Sequence, residues 1–403
     1  MTGGHLLTGM NNLTLLLVCQ AFTTLGLMVF VPIMPLYIAT LEQMDAAGAA
    51  HWSSLALAAP AIGTLCFAPY VGKCCDRFGY KRMLLTSLAV FTGSMLLMAL
   101  SPSVHGFMLG RLLQGISTIG VVLTAFIGYV SDDTSRGRSL GLQESAIACG
   151  ALAGPLLGGM MLDYWSLKPL LLTSAVLTGV AGGILWTQLS EPRKVAGISG
   201  LPFSGLRTVL GDSSLRNWML AACFIQAAAF AFVNVFALYL TARFPAAEAM
   251  ASKIGFLHAL GWLATMLAAP LWGRLNDRGE PRRYFAFAAM GCALSAGLLI
   301  LIDQIWIVAL LRITQGACYA ALMQSVLLAC SRQLPISAYG YVTGLSRSFM
   351  VVGQLAGPLL ILLLLPVLSP INLIWPVAVL FFAGGLLVFS GRTADFSFAE
   401  LKK

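Results

Sequence analysis

Apolar runs long enough to cross a bilayer recur along nearly the whole chain. Their limits are 13–40, 49–71, 83–101, 104–130, 139–162, 167–187, 217–241, 251–273, 284–302, 305–330, 339–364 and 371–390. A spanning helix needs ~20 mostly apolar residues to match the hydrocarbon thickness. No water reaches the backbone there, so each run must satisfy its own N–H and C=O groups, as a helix does. The runs are continuous and do not alternate, which argues against a membrane β-barrel. Of the 403 residues, 59% are apolar and 10% charged, against roughly 45–50% and about 25% in soluble proteins. A water-soluble enzyme, a disordered chain and a secreted disulfide scaffold are excluded. The expected fold is an all-α polytopic membrane protein with twelve transmembrane helices.

The net charge of +9 does not point to nucleic acid, because the basic residues sit in short clusters between apolar runs with no long basic stripe. Eighteen of the 24 Lys and Arg residues fall in alternate loops and the two tails. Only Lys168, Arg243 and Lys253 fall on the other side, and Arg111, Arg312 and Arg347 lie within runs. Positive loops stay inside, so both termini are expected in the cytoplasm, in a plasma membrane or a Gram-negative inner membrane. No Lys or Arg precedes the first run, so no signal-peptide n-region is expected. The nine cysteines lie in runs or in the inside loop holding Cys74 and Cys75, with no CxxC or metal-ligand spacing. Phosphate-loop, nucleophile and metal signatures are absent, so the expectation is no cofactor and an ion gradient in place of ATP.

The two halves of the chain repeat each other. Ala68-Pro69-x-x-Gly72, Asp76-Arg77, Arg82 and Arg111-x-x-Gln114-Gly115 recur 201 residues later as Ala269-Pro270-x-x-Gly273, Asp277-Arg278, Arg283 and Arg312-x-x-Gln315-Gly316. Gly141-Leu142-x-x-Ser145 and Gly150-x-x-Ala153-Gly154-Pro155 recur 203 residues later as Gly344-Leu345-x-x-Ser348 and Gly353-x-x-Ala356-Gly357-Pro358. The longest hydrophilic stretch, 188–216, separates the copies. The expected organisation is a six-helix bundle over 1–187, a cytoplasmic linker over 188–216 and a second bundle over 217–403. Parallel repeats of this kind place a substrate site between them near the midplane, open alternately to each side.

The loop Gly72-Lys73-Cys74-Cys75-Asp76-Arg77-Phe78-Gly79-Tyr80-Lys81-Arg82 resembles the major facilitator pattern G-x-x-x-D-R-x-G-R-[KR], with Tyr80 in the first basic slot. The likeness extends over nearly the whole chain. It implies the major facilitator fold, with Gly72, Asp76 and Arg77, and their copies Asp277 and Arg278, acting as a gate against a helix of the other half. A carboxylate beside a helix N-terminus is favourable. Gly150-x-x-x-Gly154-Pro155-x-x-Gly158-Gly159 is similar to the motif of the drug:proton antiporter branch, whose members export. Glycines at that spacing bare one helix face for close packing. The resemblance also implies a monomer, and a tie between the Arg111 position and proton transfer.

Glu144 stands out because it is the one acid inside a run, and its repeat mate is Arg347. A carboxyl in low-dielectric surroundings suits a proton carrier. Both side chains are expected roughly 10 Å into the membrane from one face. They could form either a coupling pair facing a cavity or a static ion pair. His258 is a second proton-coupling candidate, and Arg312 reads as structural. Arg347, Gln226, Asn234, Tyr37 and Tyr319 are the candidate substrate contacts. Gln226 and Asn234 are eight residues apart and so expected on one face. Phe30, Phe232 and Phe236 are further candidates for lining a cavity.

The function expected is secondary active transport of a small organic molecule by proton-coupled export, the substrate being a drug, an organic acid or a siderophore-like metabolite. Proton-coupled import on the same fold and a non-transporting sensor or scaffold are the alternatives. The topology has a direct test. With native reactive thiols replaced, cysteines at Ser103, Ala247 and Ser369 should react with an impermeant thiol reagent on intact cells. One at Ser204 should react only after lysis.

Overall fold

The computed structural model describes residues 3–29, 38, 46–164, 167–190, 211–244, 250–333 and 339–390. Among them the chain is helical. The helices are α1 (Gly3–Met28), α2 (Ala46–Phe78), α3 (Tyr80–Leu100), α4 (Val104–Ile116), α5 (Ile119–Val130), α6 (Arg136–Tyr164) and α7 (Leu167–Gln188) in the first half. The second half has α8 (Ser213–Arg243), α9 (Met250–Arg278), α10 (Pro281–Leu298), α11 (Ile305–Arg332), α12 (Tyr339–Leu364) and α13 (Ile374–Ser390). Among the described residues nine spans have the length and apolarity to cross a membrane, one of them being α4 and α5 together; Asn12–Met28 and Ile374–Ser390 are shorter apolar helices. The remaining helix, α6, carries Arg136, Arg138 and Glu144 near its start.

The fourth run departs from the expected single helix over 104–130. It breaks at Ser117 and Thr118, and Thr118 is left-handed with φ 44°. The Ser117 hydroxyl donates to the Gln114 carbonyl at 2.6 Å and the Thr118 hydroxyl to the Ser117 carbonyl at 2.9 Å. Hydroxyls thus compete with the helical ladder there. Helix starts follow local chemistry: the Asp212 carboxylate accepts from the Leu215 amide at 2.7 Å, and Pro281 opens α10. Gly79, at φ 100°, makes the tight turn from α2 into α3, a conformation side chains resist.

Two apolar cores form. One gathers α1–α5 and α7, with Tyr339 of α12, around Phe91, Phe107 and Phe126; the other gathers α8–α13 around Phe236, Phe285 and Phe381. The outer surface is apolar as well, with Trp186 70%, Phe287 72% and Val367 79% exposed. Such a surface needs lipid around it. Within each bundle the contacts obey the repeat. A Cβ on Gly115 would strike the backbone of Pro60, and one on Gly316 the backbone of Gly261. Thr64 donates to the Gly115 carbonyl at 3.2 Å, as Thr265 does to that of Gly316 at 2.9 Å. Lys81 donates to the Leu189 carbonyl at 2.6 Å and Arg282 to that of Val388 at 2.9 Å, a cation on the carbonyl end of the last helix of each bundle.

A side chain at these contacts should force helices apart. Gly115→Val and Gly316→Val should each destabilise the protein by about 1–3 kcal/mol, seen as a lower unfolding midpoint of purified protein. Gly182→Ala, where a Cβ meets nothing, should leave the midpoint unchanged or raise it.

Candidate functional site

The halves meet most closely at the end carrying the basic loops. A Cβ on Gly72 would collide with Gly340 across the interface, and one on Gly273 with Gly137. Those close approaches put the first free amides of α12 and α6 beside an aspartate. Asp76 accepts from the amides of Gly340 and Tyr341, both at 2.9 Å. Asp277 accepts from those of Gly137 at 2.6 Å and Arg138 at 2.8 Å. Amides in the first turn lack helical partners and carry the positive end of the helix dipole. The repeat therefore yields two matching clamps, each holding the opposite half. The Tyr80 hydroxyl donates to Asp76 Oδ1 at 2.6 Å, and its ring stacks on Tyr129 with centroids 4.5 Å apart. The tyrosine in the basic slot thus steadies the carboxylate. Arg77 is exposed over the Phe78 ring, and Arg278 is exposed. The cross-half bonds belong to the aspartates and backbone amides, not to these arginines. Tyr339 packs on Gly128 beneath the Arg136 guanidinium and seals the same end.

Above the clamps the helices stay in contact for two turns. Gly141 lies on the Ala269 carbonyl and Gly344 on that of Ala68. Ser145 donates to the Met266 carbonyl at 2.6 Å and Ser348 to that of Leu65 at 3.3 Å. One face of α6 (137, 141, 145) thus lies on α9, and the matching face of α12 (340, 344, 348) lies on α2. The motif glycines face elsewhere. Gly150 and Gly154 pack on Ala21, Leu25 and Met28 of α1, and Gly353 and Gly357 on Cys223 and Ala227 of α8. Pro155, Gly158 and Gly159 lie in α6, but their surroundings are outside the described residues.

At about 100° per residue, Glu144 and Arg347 sit about 60° off the interface faces. Each is eight residues into its helix, roughly 12 Å from the closed end. They are partly buried and act on each other electrostatically. No ion pair within 4.0 Å joins them among the described residues. Tyr319 of α11 acts on both and lies against Gln226 of α8. Gln354 of α12 donates to Gln226 Oε1 at 3.5 Å. The structure therefore brings together Glu144, Arg347, Tyr319 and Gln226. It adds Gln354, whose signal was its place seven residues beyond Arg347 on the same helical face.

Other candidates fall elsewhere. Arg111 is buried and ties α4 to α2, donating to the Ala56 carbonyl at 3.0 Å and to Gln114 Oε1. Arg312 repeats this with the Leu257 carbonyl at 3.3 Å and Gln315. Its guanidinium lies over Phe232 and Phe236, with Nη2 3.4 Å from His258 Nδ1. A guanidinium only donates, so His258 accepts there; it sits with Arg312, apart from the Glu144 cluster. Asn234 is exposed while Gln226 is buried. Eight residues leave about 80° between them, so the expected common face does not form. Tyr37 and Phe30 lie outside the described residues.

Two bundles in tandem, clamped at one end around a charged pair, are the architecture of a secondary transporter. Residues 16–251 and 246–395 match the Major Facilitator Superfamily, and the chain belongs to that superfamily as a transporter of small molecules. A Staphylococcus aureus protein named staphyloferrin B transporter is 34% identical over 368 residues, covering 87% of this chain and 85% of the relative. The multidrug resistance protein MdtG of Proteus mirabilis is 26% identical, covering 84% and 85%. Among solved structures, the human organic anion transporter MFSD10 (TETRAN) superposes with a TM-score of 0.81 at 18% identity, over 94% of this chain and 99% of that one. The E. coli fucose:proton symporter FucP gives 0.75 at 13% identity, with the same coverage. These two share the fold.

The clamps predict a graded opening of the basic end. Asp76→Asn and Asp277→Asn should each weaken closure by about 0.5–2 kcal/mol, and Tyr80→Phe by less than Asp76→Asn. The check is the thiol-labelling rate at Ser145→Cys from the basic side. It should rise in each single variant and further in the double aspartate variant, with folding retained.

Proposed function

We propose that this transporter is a proton-coupled antiporter that exports a small organic molecule by alternating access. The observation that carries the reading is the unbonded pair of Glu144 and Arg347 between the two bundles, above a closed end. A pair tied by direct bonds would serve structure. A pair that interacts across a gap can take up a proton or a ligand. The resemblance of the α6 glycine motif to the exporting branch supports the direction, and the relatives named staphyloferrin B transporter and multidrug resistance protein MdtG support a small organic molecule as substrate.

In this reading the basic end faces the cytoplasm, both termini are cytoplasmic, and residues 188–216 link bundles 1–187 and 217–403 of a monomer in the plasma membrane. The conformation is then closed to the cytoplasm. A proton arriving from outside neutralises Glu144, the Asp76 and Asp277 clamps release, and the proton leaves inward as substrate binds. Asp76, Asp277 and Gly72 form the gate; Tyr319 and Gln226 line the site beside Arg347.

The test is a double-mutant cycle on purified protein. Its readouts are thermal stability and proton-driven flux of a compound retained by cells lacking the transporter. Glu144→Gln should abolish gradient-driven flux while sparing the fold. Glu144→Gln with Arg347→Gln should remain folded without driven flux. Full flux in the double variant would overturn the proton-carrier role and leave a structural pair. Accumulation driven in the opposite direction would favour import.

A further inference from the structure

We infer that the transported molecule is a zwitterion, with a cationic amine held by Glu144 and a carboxylate held by Arg347. The inference rests on the exchange reading above and names the substrate class of that same site.

Three observations lead to it. First, Glu144 and Arg347 come from corresponding turns of α6 and α12, on matching faces of helices from opposite halves. Second, they act on each other, yet no ion pair within 4.0 Å and no hydrogen bond joins either to the protein among the described residues. Both heads are therefore available to a ligand lying between them. Third, the groups around them are uncharged hydrogen-bonding ones, Tyr319 and the Gln226–Gln354 pair. They suit the neutral body of a polar molecule and add no further net charge.

Charge balance separates the substrate classes. A simple anion on Arg347 would lie beside an ionised Glu144 and be repelled by it. It would bind best with Glu144 protonated, so it would travel with the proton. A simple cation on Glu144 would lie beside Arg347 and be repelled in turn. A zwitterion meets both charges with the right sign. Its amine needs the ionised carboxylate, so substrate and proton compete for Glu144, which is the exclusion that exchange requires. Among the described residues, Arg347 from α12 and Tyr319 from α11 are the charged or titratable side chains that act on Glu144. The residues flanking Glu144 on α6 meet uncharged groups: Ser145 bonds the Met266 carbonyl of α9, and Gln143 bonds Gln20 of α1 and Thr124 of α5. Exchanging one neutral zwitterion for one proton also carries one positive charge inward per cycle. Exchange of a monocation would carry none.

The experiment uses full-length protein in lipid nanodiscs and two matched sets of probes. One set is phenylalanine, phenethylamine and 3-phenylpropionate; the other is 6-aminohexanoate, hexylamine and hexanoate. Binding is read by thermal stabilisation and equilibrium titration. The zwitterion of at least one set should bind about tenfold or more tighter than its amine and its carboxylate, because two charge-assisted contacts replace one. That advantage should vanish in Glu144→Gln and in Arg347→Gln alike, and shrink as pH is lowered. An amine that binds as tightly as the zwitterion and ignores Arg347→Gln would overturn the inference. So would a carboxylate that does so and ignores Glu144→Gln, or binding of no member of either set. In proteoliposomes the bound zwitterion should move against the proton and carry current. Movement with the proton would overturn the exchange reading while leaving the zwitterion site standing.

Discussion

The closed end of this transporter depends on helix backbones touching where glycine leaves no side chain between them. Gly72 against Gly340, and Gly273 against Gly137, bring the free amides of one helix within reach of an aspartate on the other. The bonds run from side chain to main chain, and opening this end also withdraws Tyr339 of α12 from its seat on Gly128 in the first core. At about 0.5–2 kcal/mol for a charge at a helix N-terminus, two of them hold a state that differential binding of a few kcal/mol can release.

Intramembrane charge is handled in two ways. Arg111 and Arg312 are spent on carbonyls and on Gln114 and Gln315, so each pins one helix to its neighbour. Buried cations are expensive in a membrane unless satisfied in this manner. Glu144 and Arg347 are left with each other across a gap. The same residue type is structural in one place and available in another, because Arg111 and Arg312 face a neighbouring helix of their own bundle while Arg347 faces the other half.

The symmetry of the frame is not carried into the site. Contacts that hold the bundles together match pair for pair through the repeat, from Ser145 on Met266 and Ser348 on Leu65 to the two clamps. At the midplane the copies diverge. The first copy breaks its fourth span at Thr118, whereas α11 runs unbroken past Tyr319. The first copy contributes Glu144 to the cluster; the second contributes Arg347, Gln354, Gln226 and Tyr319. The frame is symmetric and the polar centre between the bundles is not.

Hydropathy, loop charge and repeated motifs are properties of residue order, so the sequence by itself determined the helical membrane fold, the two-bundle arrangement and the two aspartates at the closed end, though not that Arg77 and Arg278 stand clear of the cross-half bonds. It also singled out Glu144 and Arg347 as repeat mates. It misjudges Asn234, because an eight-residue spacing carries the helix about 80° past two full turns and so off the common face. It assigned His258 a coupling role that sequence could not separate from a bond with Arg312 made 54 residues away. It had no means of finding that Tyr80 holds Asp76 or that Gln354 meets Gln226. Which polar side chain is bonded and which is left facing a gap was decided only by the tertiary structure. Helix rotation fixes that outcome, and rotation is set by glycine faces packing against residues that lie far away in the chain.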